Sequence, residues 1–586
     1  MEEIRRQAGD LVVRALGRGS EDMIRVEFPP PGIDADLAVP LFPVSKELRK
    51  NPGELAQEVI RKTDTSDTIF SEVSAEKGFV NFQLDWRKCN KLFFEDFLSA
   101  GDTYGSSDIG RGETVVIDYS SPNIAKPFSV GHLRSTVIGQ ALYNIFAFLG
   151  YRVIGDNHIG DWGTQFGKLL AAYVKWGSEK ALEQAPTRAL LDLYVRFHEE
   201  AEKAPALESE AREWFAKLEA GDAEAVSLWR RFRELSLREF ERIYDLLGVG
   251  FDCTLGESFY NDKLRDVLEQ AMGSGVARWS LVPAKEEGAD VGAEVEGQER
   301  VILIPLERYG IRAPLILQKS DGTSLYATRD ISTLKYRIEK WKPSRVLYVV
   351  GAEQRLYFSQ IFKAFELLGI DADCVHVAFG LIRLPEGRMS TRKGRVIFLE
   401  DLLDEAVERA RDIVRERDMA EDEKDAIARL VGVGAVKYAD LSQDRTKDVV
   451  FDWKKMLALE GNSGPYLQYA YTRAASIIRK SGESDLTALR EIDPGILLND
   501  EETTLLWEIA KFPEVIRQSA KDYKPHYIAN YLFALSQVFN RFYVNNAVLR
   551  AETTVLRDSR LALVGWVRYV LRRGLGLLGI ECPERM

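Results

Sequence analysis

Two runs of the chain hold residue types suited to handling a polyphosphate. The first is Ser120-Ser121-Pro122-Asn123-Ile124-Ala125-Lys126-Pro127-Phe128-Ser129-Val130-Gly131-His132-Leu133-Arg134-Ser135. Gly131 lets a ligand approach the backbone, and His132 opens a helical pattern whose first amides favour anions. Ser129, His132 and Lys126 are candidate phosphate donors. The second run, Arg388-Met389-Ser390-Thr391-Arg392-Lys393-Gly394, is basic and rich in small polar residues. Each has a plain alternative: His132 as a helix cap, the basic run as a solvated turn. At the carboxyl edge of one sheet, the two together would clamp a nucleotide's phosphates. The usual phosphate loops are missing: the first run lacks GxGxxG, and Gly167-Lys168 leads into Leu169 with no Walker-type glycine before it.

The surrounding patterns supply such a sheet. Thr114–Tyr119 reads as a buried strand, Leu133, Val137, Ala141, Ile145 and Leu149 mark a helix closed by Gly150, and Tyr151–Ile154 is the return strand. A second βαβ unit runs through Arg345–Val350, Glu353–Leu368 and Cys374–Phe379. Two such halves predict one doubly wound parallel sheet, interrupted by a mostly helical, charged insertion over about Leu169–Glu307. Residues 1–107 read as a small separate α/β unit with an alternating strand at Gly78–Leu84. After Glu400 the pattern is helical to the end and suggests a bundle. The expected division is 1–107, 108–400, 401–451 and 452–586.

A length of 586 residues allows roughly four domain-sized units. The net charge of −12 excludes a generally basic nucleic-acid coat, yet Lys511–Arg573 holds 11 basic against 4 acidic residues. That stretch is either a solvated helical face or a local polyanion-binding surface. Four dispersed cysteines (Cys89, Cys253, Cys374, Cys582) give neither a disulfide scaffold nor a thiolate zinc cluster, and suit a reducing compartment. Five histidines show no ligand spacing: His198 and His526 read as surface residues, His376 as packed, and His158 as either pocket wall or support. No apolar run approaches a membrane span and the first residues lack a signal-peptide core, so a cytoplasmic protein is expected.

Ser129-Val130-Gly131-His132 resembles the HIGH tetrapeptide of class I aminoacyl-tRNA synthetases, and Arg388–Arg392 resembles their KMSKS loop. Longer runs are more specific. Ser120–Ser135, Gly155–Gly167, Asp321–Asp330, Gly461–Tyr469 and the ending Pro583-Glu584-Arg585-Met586 are similar to arginyl-tRNA synthetases in particular. The resemblance covers essentially the whole chain.

It implies an arginine–tRNA ligase using ATP with Mg²⁺, without zinc or an organic cofactor. Guanidinium contacts would fall to Tyr326 and Asp330, four apart at a helix start and so on one side, where a carboxylate can form a forked pair. Packing and helix capping are the alternative for these two. Contacts to the amino acid's α-amino and carboxylate ends would fall to Asn123, Ser129 and Gln360. Asp118 stands where relatives usually carry Glu and would neutralise the α-ammonium. ATP contacts would come from Ser129, Gly131, His132, Met389 and Ser390, with His132, Lys126, Arg388 and Lys393 stabilising charge on the phosphates. Two departures stand out: Ser129 replaces a histidine, and Arg388 and Arg392 replace lysines. Lys126 is expected to take over α-phosphate charge, as in relatives lacking the loop lysine.

The helical end would bind the anticodon side of tRNA(Arg) through Arg568, Arg572 and Arg573, with Tyr466, Tyr469, Tyr527, Phe539 or Tyr543 as stacking candidates. The first unit would touch the tRNA elbow, and a monomer is the expected state. Relatives need bound tRNA even to activate arginine, which the resemblance extends to this chain. Two rival readings fit less well. A non-catalytic tRNA-binding paralogue has no use for Asn123, His132, Tyr326 and Asp330 together, and a cysteine-specific ligase would want thiolate zinc ligands.

Overall fold

A computed structural model describes the chain except residues 18–22, 31, 125, 127, 284–297, 320–321, 323, 384–397 and 483–491. The chain divides into two compact units: residues 1–105, 470–515 and 531–572, and residues 106–469, 516–530 and 573–586.

The second unit holds the parallel sheet. Its strand order is Cys374–His376, Arg345–Tyr348, Thr114–Asp118, Arg152–Asp156, all pairs parallel. Val115, Val116 and Ile117 are buried, as expected for a strand covered on both faces. The helix Val130–Phe148 crosses over from the central strand to Arg152–Asp156. It lies close to the sheet at Gly139, where a Cβ would come within 2.3 Å of the Tyr119 ring. The chain builds outward on one side of Thr114–Asp118 and later on the other. The switch point therefore lies between Thr114–Asp118 and Arg345–Tyr348, where doubly wound sheets bind ligands at the carboxyl edge.

The insertion is helical from Thr164–Trp176 to Ala223–Leu247, as its amphipathic pattern predicts. It then departs from expectation. Arg278–Pro283, Gln298–Ile304 and Leu315–Gln318 form an antiparallel three-stranded sheet. That sheet packs Ile304 and Leu317 into one core with Ile331 and Leu334 of helix Tyr326–Trp341 and Val116 and Val346 of the parallel sheet. This core holds the helix bearing Tyr326 and Asp330 against the strands.

In the other unit, an antiparallel sheet (Leu37–Pro40, Phe79–Leu84, Phe70–Glu76) is flanked by helices Glu2–Leu16 and Trp86–Ala100. The fold of residues 1–105 is α/β as read, but its core is shared with carboxyl-terminal helices. Phe97 sits 5.0 Å from Trp566, and Phe28, Trp86 and Phe93 surround Trp507 at 5.9–6.0 Å between ring centres. Asn90 donates to the Leu497 carbonyl at 2.6 Å. Among the described residues the remainder is helical, including Asp500–Ala510, His526–Asn545 and Thr554–Leu577.

Candidate active site

The turn after the central strand is unusual backbone. Ser120 and Ser121 both have positive φ, 68° and 46°, a region costly for residues with a Cβ. Side chains hold it there. The Ser120 N–H donates to Ser135 Oγ at 2.9 Å, and Ser135 Oγ donates to the Val349 carbonyl at 2.7 Å. One serine of the crossover helix thus ties the ends of two neighbouring strands.

Ser129 is the N-cap of that helix, and its N–H donates to His132 Nδ1 at 3.1 Å. Because Nδ1 accepts, the proton sits on Nε2. Burial pushes the His132 pKa down to about 4, so the ring is neutral near pH 7 and offers one Nε2–H donor. It stacks on Phe128, with centroids 5.2 Å apart. His132 can therefore offer a hydrogen bond but no positive charge. Gly131 is exposed on the first turn, and Lys126 is half-buried, its N–H donating to the Asn123 carbonyl at 3.1 Å. Asn123 bridges Gly160, where a Cβ would fall 2.0 Å from Asn123 Oδ1. A side chain at 160 would have to displace the Asn123 amide.

Arg388, Met389, Ser390 and Lys393, with Thr391, Arg392 and Gly394, lie outside the described residues. Their flanks are described. Ile382–Arg383 pairs with Val449–Val450, Phe398 bridges Ser129, and the Leu399 N–H donates to the Phe128 carbonyl at 3.0 Å. The chain therefore returns from this run directly beside the His132 turn.

Tyr326 opens helix Tyr326–Trp341 with 58% of its surface exposed, and Asp330 follows one turn on. The Tyr357 hydroxyl donates to Asp330, and burial raises the Asp330 pKa, opposed by His158 and Arg337. Beside it stands a carboxylate that sequence reasoning missed. Glu257 opens the short 3-10 helix Glu257–Lys263, and burial pushes its pKa up to about 7. Asp330 and Asp161 raise it further, while His158 and Arg329 oppose. Its Oε2 is buried with no hydrogen-bond partner among the described residues. Asp161 is committed elsewhere, accepting from Ser258 Oγ at 2.8 Å and Arg233 Nε at 2.9 Å. His158 Nδ1 is bonded to the Leu255 carbonyl at 3.0 Å. Two half-buried acids, one with a buried oxygen that has no partner among the described residues, can pair with a forked cation.

Asp118 is held in place by two neighbours. Its Oδ2 takes Arg337 Nη2 at 2.6 Å, and its Oδ1 accepts from Ser121 Oγ at 2.8 Å. Arg337, fully buried, also grips Asp156 Oδ2 from Nε and Nη2 at 3.0 and 2.7 Å. Both Asp118 oxygens thus have protein partners. Gln360 directs its amide nitrogen to the carbonyls of Ala313 and Pro314 at 2.9 and 3.0 Å, which turns its Oε1 away from them.

Other expectations divide. His376 is packed as read, stacked 4.2 Å from Phe358, but His526 is buried rather than on the surface because Asp444 and Lys524 cover it. Phe539 is fully buried core, which removes it as a stacking platform, whereas Tyr543 is exposed with Arg473 over its ring at 5.1 Å. Tyr466 and Tyr469 are half-buried. Arg572 is exposed, while Arg568 and Arg573 lie over the rings of Tyr471 and Phe148 at 5.9 and 5.5 Å.

Residues 94–453 match the class I (R) tRNA synthetase catalytic domain, 467–586 the DALR anticodon binding domain, and 2–84 the arginyl tRNA synthetase N-terminal domain. The arginine–tRNA ligase of Clostridium perfringens is 43% identical over 96% of each chain. The chain belongs to the arginyl-tRNA synthetase family. Among solved structures, the Thermus thermophilus arginyl-tRNA synthetase aligns over 100% of both chains, with a TM-score of 0.81 and 25% identity. The Plasmodium falciparum arginyl-tRNA synthetase covers 100% of this chain and 99% of its own, with a TM-score of 0.78 and 27% identity. The chain is accordingly an arginine–tRNA ligase of class I, with the α/β amino-terminal, doubly wound catalytic and helical carboxyl-terminal architecture of this ATP-using synthetase family. No described helix is long and apolar enough to cross a membrane.

Proposed function

We propose that the guanidinium of arginine binds between Asp330 and Glu257, under the exposed ring of Tyr326. The observation carrying this reading is the buried, unpartnered Oε2 of Glu257 beside Asp330. Tyr357 orients the Asp330 carboxylate. Asn123, Ser129 and Gln360 line the end where the α-amino and carboxylate groups lie. Asp118, held by Arg337 and Ser121, neutralises the α-ammonium through its remaining lone pairs.

ATP enters with its Mg²⁺. The arginine carboxylate oxygen attacks the α-phosphorus in line, the bond to the bridging oxygen breaks, and pyrophosphate leaves. The protein's part is to position the reactants and stabilise charge. His132 Nε2–H donates to a phosphate oxygen, the helix N-terminus at Gly131 adds its amides, and Lys126, Arg388 and Lys393 supply positive charge. Met389 and Ser390 complete the nucleotide contacts. In the second step the terminal ribose hydroxyl of tRNA(Arg) attacks the adenylate carbonyl and AMP departs.

We assign 1–107 to the tRNA elbow, 108–400 to catalysis, 401–451 to a connecting helical region and 452–586 to the anticodon side. Arg568, Arg572, Arg573, Tyr466 and Tyr469 remain candidates for tRNA contact, with Arg572 favoured by its exposure. A cytoplasmic monomer is the form this reading expects. Asp330→Asn tests the pocket. Loss of one buried charge partner costs about 2–5 kcal/mol, so the arginine KM should rise by one to several orders of magnitude while the ATP KM holds. An unchanged arginine KM would remove Asp330 from the pocket.

A further inference from the structure

Behind Phe128, the ring that supports His132, lies a cavity of about 290 Å³. Its walls include Phe128, Thr187, Phe240, Ile243 and Phe398. The Thr187 hydroxyl is buried without a hydrogen-bond partner among the described residues. Phe398, the N-cap of helix Leu399–Val414, therefore faces the helical insertion partly across this open cleft.

Charge bridges the rim. Arg188, from insertion helix Pro186–Lys203, places Nη2 2.6 Å from Asp401 Oδ1 and its guanidinium carbon 4.4 Å from the centre of the Phe398 ring. Arg242, from insertion helix Ala223–Leu247, pairs with Glu400. Glu400 and Asp401 are the first-turn acids of helix Leu399–Val414, where negative charge also meets the helix dipole favourably. The same segment is bonded to the catalytic turn, Leu399 N–H to the Phe128 carbonyl and Phe398 to Ser129. A continuous path thus runs from two guanidinia of the insertion, through residues 398–401, to the backbone that holds His132.

We infer that Arg188 and Arg242 are positioning residues for adenylate formation, through which the helical insertion sets the geometry of the Ser129–His132 turn. The inference rests on His132 contacting the phosphates. Both arginines are about half exposed, so the pairs stabilise the fold weakly and are open to screening by salt. A weak pair still biases a local geometry severalfold, and transition-state contacts are sensitive to sub-ångström placement.

The test is arginine-dependent ATP–pyrophosphate exchange on the full-length chain with tRNA present. Arg188→Met with Arg242→Met should lower kcat about threefold to tenfold, the scale of two exposed pairs, with arginine KM within about twofold and little change in Tm. Lysine at both positions should restore most of the rate. Asp401→Asn should slow the wild type but add nothing in the Arg188→Met background, because the two act as one pair. Raising salt should bring the wild-type kcat toward that of the double variant. A wild-type kcat in the double variant, full additivity of Asp401→Asn with Arg188→Met, or a loss of Tm matching the loss of rate would each overturn the inference. His132→Gln run in parallel separates the two readings. If it is as fast as wild type, the assignment of His132 fails. If it is slow while the arginine variants are fast, only the present inference fails.

Discussion

The proposed guanidinium pocket turns on a proton. Glu257 holds its acid form up to about pH 7, because burial disfavours its charge. A guanidinium pairs with the carboxylate, so binding below pH 7 must expel that proton. The arginine KM should therefore fall as pH rises, by about tenfold per unit well below 7, and level off above it. Glu257→Gln should flatten the profile, and a persisting slope in that variant would assign it to another group. The sign for stability is the reverse. Between the ordinary value of 4.5 and about 7 the ligand-free folded chain binds more protons than the unfolded one, so its stability drops as pH rises through that window. Residue types announced part of this site. His132, Asn123, Tyr326 and Asp330 were legible from their motifs, but Glu257 sits in Gly256-Glu257-Ser258-Phe259-Tyr260, where no spacing marks it. Only folding brings it to Asp330. Asp118 shows the opposite case: its place at the strand end was legible, whereas its partner Arg337, two helical turns beyond Asp330, was not.

Among the elements, the crossover helix Val130–Phe148 does more than connect strands. Arg134, fully buried on it, pairs with the buried Asp440 at 2.7 Å and donates to the carbonyls of Gly380 and Lys447, both at 2.8 Å. It thereby ties the catalytic turn's helix to the segment leading into residues 384–397 and to helix Glu421–Leu441. Arg134→Met leaves a buried carboxylate alone and should cost about 3–5 kcal/mol, read as a lowered Tm. Asp440→Leu in the same chain should recover much of it, since an apolar pair often replaces a buried ion pair at little cost. If Arg134→Met leaves Tm unchanged, this bond does not hold the element. The two βαβ halves were legible because buried strands and capped helices carry strong patterns. The three-stranded sheet of the insertion was not. Its strand Gln298–Ile304 is a short apolar run beside an acidic stretch, and Trp279 and Leu281, both exposed, blur the alternation of its neighbour.

For the whole molecule, charge and site are separated along the chain. Of the net charge of −12, residues 1–451 carry −14, while Asp452–Met586 holds 18 basic and 16 acidic residues, a balance of +2. RNA binding then depends on local cations rather than on the total. Arg572→Glu should weaken tRNA binding and reduce its log–log salt slope by about 0.7–0.9 for each phosphate no longer neutralised, with arginine KM unaffected. Unchanged tRNA binding at low and high salt would make Arg572 part of a solvated face. The full-length match to arginyl-tRNA synthetases shows what the molecule does, and the paired carboxylates are the proposed source of its choice of amino acid. Citrulline tests that choice most directly, since it keeps arginine's shape and loses its charge. The measurement is ATP–pyrophosphate exchange, with tRNA present, on arginine and citrulline for the wild type and for Asp330→Asn with Glu257→Gln. The wild type should use arginine and reject citrulline by several orders of magnitude, as expected where buried charges would be left unpaired. In the doubly neutralised pocket arginine should lose most of that advantage. Strong preference for arginine in the double variant, or ready use of citrulline by the wild type, would contradict a pocket built on these two acids.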